Sequence, residues 1–396
     1  MDVLQCPIQR YPWGSTTALP LLLGVAPDGG PQAELWAGAH PAAPATVGGR
    51  SLADVINDDP SAALGPDVLR RFGPRLPFLA KILAAAEPLS IQAHPDSRRA
   101  REGFAEDEAA GIPIDAPNRR YRDRSHKPEL LVALTPFHAL AGLRPLQETS
   151  ALLEALDLAQ THPFDRLESD GPAAVIRMLL GSGSENGREV AARVGEAAAA
   201  LDMTVDPPSA AADPVEAVAW WASRIAALNP GDPGVGVALL LNLVDLAPGE
   251  AVNLRAGNLH AYLRGTGVEV MASSDNVLRG GLTSKHVDVQ ELLVVADVTP
   301  DAPPVVSPVA SASGRIVSWP TPDPDFAVSM VRPGAERVSV AREGPRVAMV
   351  VDGHVRAAAG SRALELDRGA VIWVPASDGP LALEGEGTTF VAAVGG

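Results

Sequence analysis

Residues 78–94, FLAKILAAAEPLSIQAH, carry the pattern from which the fold class follows. The last six, residues 89–94, alternate strictly between apolar and polar side chains, so successive residues face opposite sides of a strand. Glu87-Pro88 separates them from the apolar run that begins at Phe78, and this pair is typical of a turn. We therefore predict two strands here, the second with polar side chains along one face.

Outward from this stretch, both ends of the chain have the character of β-structure, because Pro and Gly, 37 of each, separate short apolar segments. Residues 96–110 are predicted to be helical. Between about residues 145 and 228, apolar residues recur every three or four positions in Ala-rich segments, which predicts a helical block. Strands are predicted to resume at Val235, and a last β block to span residues 326–394. Residues 299–320, rich in Pro, Ser and Ala, are interpreted as a linker or crossing segment.

This order predicts a mainly β protein with an α insertion, that is, two antiparallel barrels or sandwiches with a helical domain between them. The chain has 396 residues, of which 46% are hydrophobic, and this composition is typical of a folded protein. Its net charge of −16 argues against a nucleic-acid or membrane partner but leaves room for one anionic substrate in a basic pocket. With no basic stretch leading into an apolar core at the amino terminus, and no membrane-length apolar run, we expect a cytoplasmic protein.

Four residues form a candidate metal site. Gln92 and His94 project from one face of the predicted strand, and Glu129 begins an apolar strand, where an unpaired carboxylate is costly. Cys6 is the single cysteine, so a metal would need imidazole, carboxylate or amide ligands. With His260, the set suits a borderline divalent ion, Zn²⁺ first and Mn²⁺ or Fe²⁺ as rivals. Hydrogen-bonded polar pairs, core histidines and an arginine salt bridge to the carboxylate are the structural alternatives.

Two other features stand out in the sequence. Residues 268–285 are rich in polar groups without helical or strand periodicity, which is typical of either a solvated loop or a binding site. The chain also has only three lysines, Lys81, Lys127 and Lys285. Because lysine offers a compact charge with a tunable pKa, a lysine kept in an arginine-rich chain is a better candidate than usual for a chemical role.

These residues resemble a known family, the type I mannose-6-phosphate isomerases, which are zinc enzymes of the cupin superfamily. The resemblance runs nearly end to end and is carried by five stretches: residues 11–14 (YPWG), 34–41 (ELWAGAHP), 89–95 (LSIQAHP), 121–129 (YRDRSHKPE) and 260–285. It implies an isomerase that interconverts mannose 6-phosphate and fructose 6-phosphate through a cis-enediol. The resemblance also implies one Zn²⁺ per chain, held by the same four residues that the pattern singles out: Gln92, His94, Glu129 and His260.

The resemblance also implies a division of the chain. Residues 1–145 and 231–310 would form the catalytic cupin-like (jelly-roll) domain, residues 146–230 a helical domain, and residues 311–396 a second cupin-like domain. The expected protein is a monomer with a small sugar phosphate as its partner, and with neither a nucleic-acid nor a membrane partner.

The roles of the remaining site residues are expected from the chemistry of their side chains. Arg279 matches the active-site arginine of the family, and it stabilises negative charge because a guanidinium does not act as a base. Lys127 and Asp275 are both candidates for the proton-transfer base, and the sequence does not choose between them. Lys285, Arg98 and His126 are expected to contact the substrate, His126 also as a proton relay, although the two cations could equally be solvated surface charges.

One departure from the family pattern concerns the phosphate. A lysine commonly follows the motif at residues 94–96, and here Ser97 occupies that place, with Arg98 next to it. The departure leaves open an isomerase for a non-phosphorylated or different sugar, and a non-catalytic sugar-binding cupin is a separate alternative.

Overall fold

A computed structural model describes residues 1–181, 185–200, 206–340 and 342–396. Within these residues the strands are β1 (Asp2–Val3), β2 (Ile8–Gln9), β3 (Glu34–Ala37), β4 (Thr46–Val47), β5 (Arg50–Ser51), β6 (Phe78–Ala85), β7 (Gln92–Ala93), β8 (Glu129–Ala133), β9 (Phe137–Leu143), β10 (Leu241–Leu246), β11 (Ala251–Leu254), β12 (His260–Ala272), β13 (Leu278–Arg279), β14 (Val305–Val306), β15 (Val309–Ala310), β16 (Ile316–Trp319), β17 (Ala327–Val331), β18 (Gly334–Val340), β19 (Arg346–Ala359), β20 (Arg362–Asp367), β21 (Val371–Val374), β22 (Leu381–Gly385) and β23 (Gly387–Ala393).

The α-helices of the described residues are α1 (Ala18–Leu22), α2 (Leu52–Asp58), α3 (Pro60–Phe72), α4 (Ser97–Ala109), α5 (Leu146–Ala155), α6 (Leu167–Leu180), α7 (Glu185–Ala199), α8 (Pro214–Leu228), α9 (Gly234–Ala238) and α10 (Val289–Val295). The mainly β class with a helical insertion is therefore confirmed. The helix predicted over residues 96–110 is α4, and Asp96 caps it by accepting a hydrogen bond from the Arg99 backbone N–H.

An eleven-stranded sheet is built around β12, which contributes to two layers. Residues 265–272 of β12 pair with β6 and β8, whereas residues 260–264 pair with β7 and β9. The change of partners falls at Gly265, which has a φ of 135° and lies so close to Phe137 that a Cβ would clash with its ring. One continuous strand thus connects the layer that carries Gln92 to the layer that carries Glu129.

A ten-stranded sheet from the carboxyl-terminal part repeats this construction around β19. The first half of β19 pairs with β21 and β23, and its second half pairs with β20 and β22. Gly353, with a φ of 70°, lies in the middle of the strand against the Glu386 carbonyl. Both large sheets are branched and open, so the cupin-like expectation corresponds here to folded-over sheets and not to a closed ring of hydrogen-bonded strands.

The two sheets share one apolar core. Even-numbered residues of β6, such as Ile82, face this core, while odd-numbered residues such as Leu83 face the interior of the eleven-stranded sheet. Side chains from the other sheet, including Trp373 and Phe390, complete the shared core together with Leu52 of α2. The two sheets therefore pack against each other through a large buried apolar surface.

Some local expectations are corrected by the structure. Val235 is not the start of a strand, because it lies in α9, buried in the core of the helical block, and strands resume only at Leu241. The segment 299–320 contains β14 in one large sheet and then β15 and β16 in the other, so it crosses between them. The first two-residue strand, β1, pairs with β21 of the carboxyl-terminal sheet.

The division of the chain at residues 145, 230 and 310 stays a prediction. Two parts of the predicted helical domain, residues 182–184 and 201–205, lie outside the described residues. Within the described residues, no helix has both the length and the apolar character that a bilayer crossing requires.

The shared core yields a test of stability. Leu52→Ala removes a fully buried side chain from this core, so we expect it to lower the free energy of unfolding by about 2–5 kcal/mol in a urea titration. Leu21→Ala on α1 is the matched control, since that side chain is 59% exposed, and its effect should stay within about 0.5 kcal/mol. Equal effects of the two substitutions would contradict the assignment of the core.

Candidate metal centre and active site

Strand pairing brings three predicted site residues onto one face. In the register of the antiparallel ladders, Gln92 of β7 lies directly opposite His260 of β12 on one side and directly opposite Arg279 of β13 on the other. Residues that face each other across an antiparallel pair project from the same side of the sheet. The fold therefore gathers residues about 170 positions apart in the chain around the short strand β7.

His94 and Glu129 complete the group, in which His94, Glu129 and His260 are buried and Arg279 is half-buried. The Glu129 carboxylate lies between two imidazoles, with Oε1 at 3.3 Å from His94 Nε2 and Oε2 at 3.4 Å from His260 Nε2. Potential ligand atoms of these three residues all fall within 4.8 Å of one another, and among the described residues no other such group of His, Cys, Asp or Glu side chains occurs. The predicted ligands thus converge on one small volume.

The hydrogen bonds of the two imidazoles show which atoms face that volume. His94 Nδ1 lies 2.7 Å from the Asn276 carbonyl and His260 Nδ1 lies 2.9 Å from the Asn258 carbonyl. A carbonyl only accepts hydrogen bonds, so both Nδ1 atoms must donate, and a neutral imidazole then has a lone pair on Nε2. The buried Nε2 of His94 has no hydrogen-bond partner. Two lone pairs and a carboxylate pointing at each other repel, unless a cation lies between them.

The electrostatics favour these protonation states. Burial, together with the nearby Lys127 ammonium, lowers the pKa of His94 to about 4, so the ring is neutral at pH 7. Burial alone would raise the pKa of Glu129, but the charge of the nearby Lys127 ammonium opposes it, and that pKa lies well below its usual range. The site therefore offers the neutral imidazole of His94 and an ionised carboxylate beside the imidazole of His260, which is a donor set that suits Zn²⁺.

Gln92 can supply a fourth ligand. Its Nε2 lies 3.3 Å from the Ser90 hydroxyl, to which it donates, and this bond leaves the amide oxygen free to accept. A cavity of about 70 Å³ adjoins the group and is lined by Gln92, Glu129 and His260. The residues present thus fit a zinc ion in number, chemistry and burial.

Behind the ligands lies a buried charge network that the sequence did not single out as part of the site. Lys81 Nζ donates to Glu269 Oε2 at 2.8 Å and lies 3.7 Å from Glu34 Oε1, and the Tyr262 hydroxyl donates to the other oxygen of Glu269 at 2.8 Å. Burial lowers the pKa of Lys81, but the two carboxylates outweigh it and raise that pKa above its ordinary value. The rarity of lysine in the chain was the one available signal, since Glu34 and Glu269 look like ordinary strand residues.

The segment that carries Lys127 is held from two sides. From the loop that follows β12, the Asn276 amide donates to the carbonyls of Asp123 and Ser125, both at 2.9 Å. From the carboxyl-terminal part, Asp325 Oδ2 lies 2.7 Å from His126 Nε2. Lys127 itself is buried, with Nζ 3.1 Å from Glu129 Oε1.

The predicted proton-transfer and substrate-binding residues occupy different surroundings. Asp275 is 44% exposed, lies 3.5 Å from the buried His40 Nε2, and lines a separate cavity of about 310 Å³. His126 faces Asp325, as described above. Arg98, 72% exposed, is paired with Glu102 on α4 at 3.1 Å. The structure brings Lys127 to the metal ligands and leaves Arg98 on the surface.

Arg279 and Lys285 differ from Arg98 in having no carboxylate within 4 Å among the described residues. Burial and then the charge of Arg122 lower the pKa of Arg279, and its buried Nε has no hydrogen-bond partner. Burial, Arg279 and Arg122 together lower the pKa of Lys285. These unpaired cations provide a place for an anionic group of a ligand.

Comparisons with known proteins agree with this site. Residues 1–146 match the family model described as phosphomannose isomerase type I, catalytic domain. The chain is 39% identical to the mannose-6-phosphate isomerase of Escherichia coli, with 96% of both chains covered, and 32% identical to the human protein of that name, with 95% and 93% covered.

Solved structures give the same result. The apo form of mannose 6-phosphate isomerase from Salmonella typhimurium superposes with a TM-score of 0.89 at 35% identity, covering 100% of this chain and 99% of that one. A mannose 6-phosphate isomerase bound with zinc and yttrium gives 0.89 at 36% identity with the same coverage. Because sequence and structure agree over almost the full length, the chain belongs to the type I mannose-6-phosphate isomerase family.

Proposed function

We propose that this protein is a zinc-dependent aldose–ketose isomerase that interconverts mannose 6-phosphate and fructose 6-phosphate. The observation that carries the proposal is the buried group of His94, Glu129 and His260. The Nε2 lone pairs of the two imidazoles face the Glu129 carboxylate, and a cation bound between them would remove their repulsion. We assign Gln92 as the fourth ligand and one Zn²⁺ per chain. Similarity to isomerases over nearly the full length supports the reaction, and the zinc-bound relative supports the metal.

The reaction moves a proton between C2 and C1 of the sugar by way of a cis-enediol. A bound zinc ion supplies Lewis-acid stabilisation of the oxygens on these two carbons. The protein must then provide a group that carries the proton and a positive charge that stabilises the enediolate. Lys127 and Asp275 are our proposals for the first task and Arg279 for the second.

The surroundings of Lys127 and Asp275 suit different steps. Lys127 is buried beside the ligand Glu129, so it lies within reach of a sugar oxygen or carbon held at the same place. Asp275 lies next to His40 on the wall of a larger cavity, where a sugar could approach from solvent. Arg279 lies opposite Gln92 in the strand register, on the same face as His260, and this position supports its proposed role in stabilising negative charge on the bound sugar.

Arg279 and Lys285 are also our candidates for binding the substrate phosphate, because they are unpaired cations. Arg98 remains a proposed phosphate contact with less support, since Glu102 already neutralises it. For His126 we propose contact with the substrate or relay of a proton, supported by its place directly before Lys127. We further propose a cytoplasmic monomer without nucleic-acid or membrane partners, and the acidic net charge supports the last part of this proposal.

The function is tested by a coupled assay on mannose 6-phosphate with and without a chelator. We expect turnover to be lost on zinc removal and restored by stoichiometric Zn²⁺, because the ligand group binds one ion. Unphosphorylated mannose should react far more slowly, if at all. Full activity of the metal-free protein, or a preference for mannose, would contradict the proposal, the second in favour of an isomerase for another sugar.

The ligand assignment is tested by Glu129→Ala. The substitution removes the only carboxylate among the four ligands, so we expect the zinc content and the turnover to fall together by at least about tenfold, as metal analysis and the assay would show. Glu196→Ala on the exposed face of α7 is the control and should retain both. A zinc-loaded, active Glu129→Ala protein would rule out this site.

The role of Arg279 is tested by Arg279→Ala. Loss of the charge that stabilises the enediolate should lower kcat by roughly 10²–10³-fold while the zinc content remains one per chain. Arg279→Lys should recover part of the activity, because it restores the charge without the guanidinium geometry. Near-normal turnover of Arg279→Ala would remove this residue from the mechanism.

A further inference from the structure

Three cations near the site lack carboxylate partners among the described residues. Arg122, Arg279 and Lys285 have no ion pair within 4 Å in the part of the chain that the structure describes. In contrast, four arginines of α4 and of the segment before Tyr121 are bonded to at least one glutamate or aspartate: Arg98, Arg99, Arg119 and Arg120. Arg124, on the same segment as Arg122, also has no ion pair among the described residues, but its guanidinium packs over the Phe104 ring.

The fold places Arg122 between two anchors. On one side the Tyr121 hydroxyl donates to Glu291 Oε1 at 2.5 Å, and Glu291 lies on α10, six residues after Lys285. On the other side the Arg122 backbone N–H donates to Asn276 Oδ1 at 2.8 Å, and Asn276 is three residues before Arg279. The two bonds bring residue 122 next to both segments that carry the other cations.

The electrostatics agree with this proximity. The positive charge of Arg122 disfavours the protonated forms of Arg279 and Lys285, whose pKa values are lowered first by burial and then by their cationic neighbours. Mutual repulsion of this kind is relieved when an anion binds among the cations. A phosphate group suits them, because guanidinium groups donate two parallel hydrogen bonds to its oxygens.

Arg122 also lines the cavity of about 310 Å³ that His40 and Asp275 share, the one by which we propose that the sugar approaches. Arg98, the other candidate to replace the missing lysine at residue 97, instead points to solvent and is paired with Glu102. Of the two arginines, only Arg122 is both unpaired and next to Arg279.

We propose that Arg122 binds the phosphate of the substrate together with Arg279 and Lys285, and that it supplies the cation missing at Ser97. This inference rests on the proposed function and adds a specificity-determining residue to it. Arg122 lies in the segment before the metal ligand Glu129, so phosphate binding and the zinc site are connected through one loop. A sugar without a phosphate group would not be bound more tightly by Arg122.

The test compares Arg122→Ala with Arg124→Ala, a matched control from the same segment whose guanidinium packs over the Phe104 ring. Both zinc-loaded proteins are assayed on mannose 6-phosphate, and the binding of inorganic phosphate is measured by calorimetry. In Arg122→Ala the charge-assisted contact to the phosphate is lost from the bound substrate and from the transition state alike. We therefore expect KM and the phosphate Kd to rise by roughly 10- to 100-fold, and kcat to change little. Arg122→Lys should recover part of the loss, and Arg124→Ala should match the wild type.

Several outcomes would overturn the inference. Unchanged KM and phosphate Kd in Arg122→Ala would do so, and so would an equal or larger rise in Arg98→Ala. A fall in kcat or zinc content without a rise in KM would indicate a structural role instead. If Arg122→Ala fails to fold, Arg122→Gln serves in the same measurements. Because phosphate binding to the wild type is measured without turnover, a failure of the proposed isomerase activity is distinguishable from a failure of this inference.

Discussion

The buried carboxylate of Glu129 is the constraint on which the site depends. An ionised carboxylate away from water is costly unless opposite charge compensates it. Lys127 provides one positive charge, with Nζ 3.1 Å from Glu129 Oε1. Both Glu129 oxygens also face imidazole Nε2 atoms, which carry a lone pair and have no proton with which to donate a hydrogen bond. The carbonyls of Asn276 and Asn258 fix this orientation by accepting from the opposite nitrogens. A divalent cation resolves the conflict, and the arrangement is therefore a preformed metal centre.

A bend in one strand, β12, brings the two layers that carry the ligands together at this centre. Because β12 passes from one layer to the other at Gly265, His260 pairs with the strand of Gln92, while Met271 pairs with Glu129 at the far end of the same strand. The carboxyl-terminal part contributes more than a shared core, since Asp325 holds His126, the residue immediately before Lys127. Together with Asn276, this contact fixes the segment on which Lys127 and Glu129 lie.

The sequence predicted the fold class and pointed to the residues of the buried His94, Glu129 and His260 group, because both leave local or family-specific patterns. Alternation in residues 89–94 and the helical block are local, and the long motif at residues 121–129 identified the family. The sequence could not show that Val235 is helical, because its short apolar run fits either structure until the helical block packs against it. Pairing of β1 with the distant β21 involves two residues and leaves no pattern at all.

The sequence also did not predict the charge interactions between residues that are far apart in the chain. Lys81, Glu269 and Glu34 come from three strands and became a network only when those strands paired. Arg98 was the candidate to replace the missing lysine because it is next to Ser97 in sequence, whereas sequence distance hides Arg122, an unpaired cation on another segment whose backbone N–H donates to Asn276.

The central claim is that one zinc ion joins these ligands, and anomalous diffraction at the zinc edge from crystals of the zinc-loaded protein tests it most directly. We predict a single strong peak at about 2.0–2.2 Å from Nε2 of His94, Nε2 of His260 and an oxygen of Glu129. A map with no peak among these side chains, or with its zinc peak elsewhere in the molecule, would contradict the account.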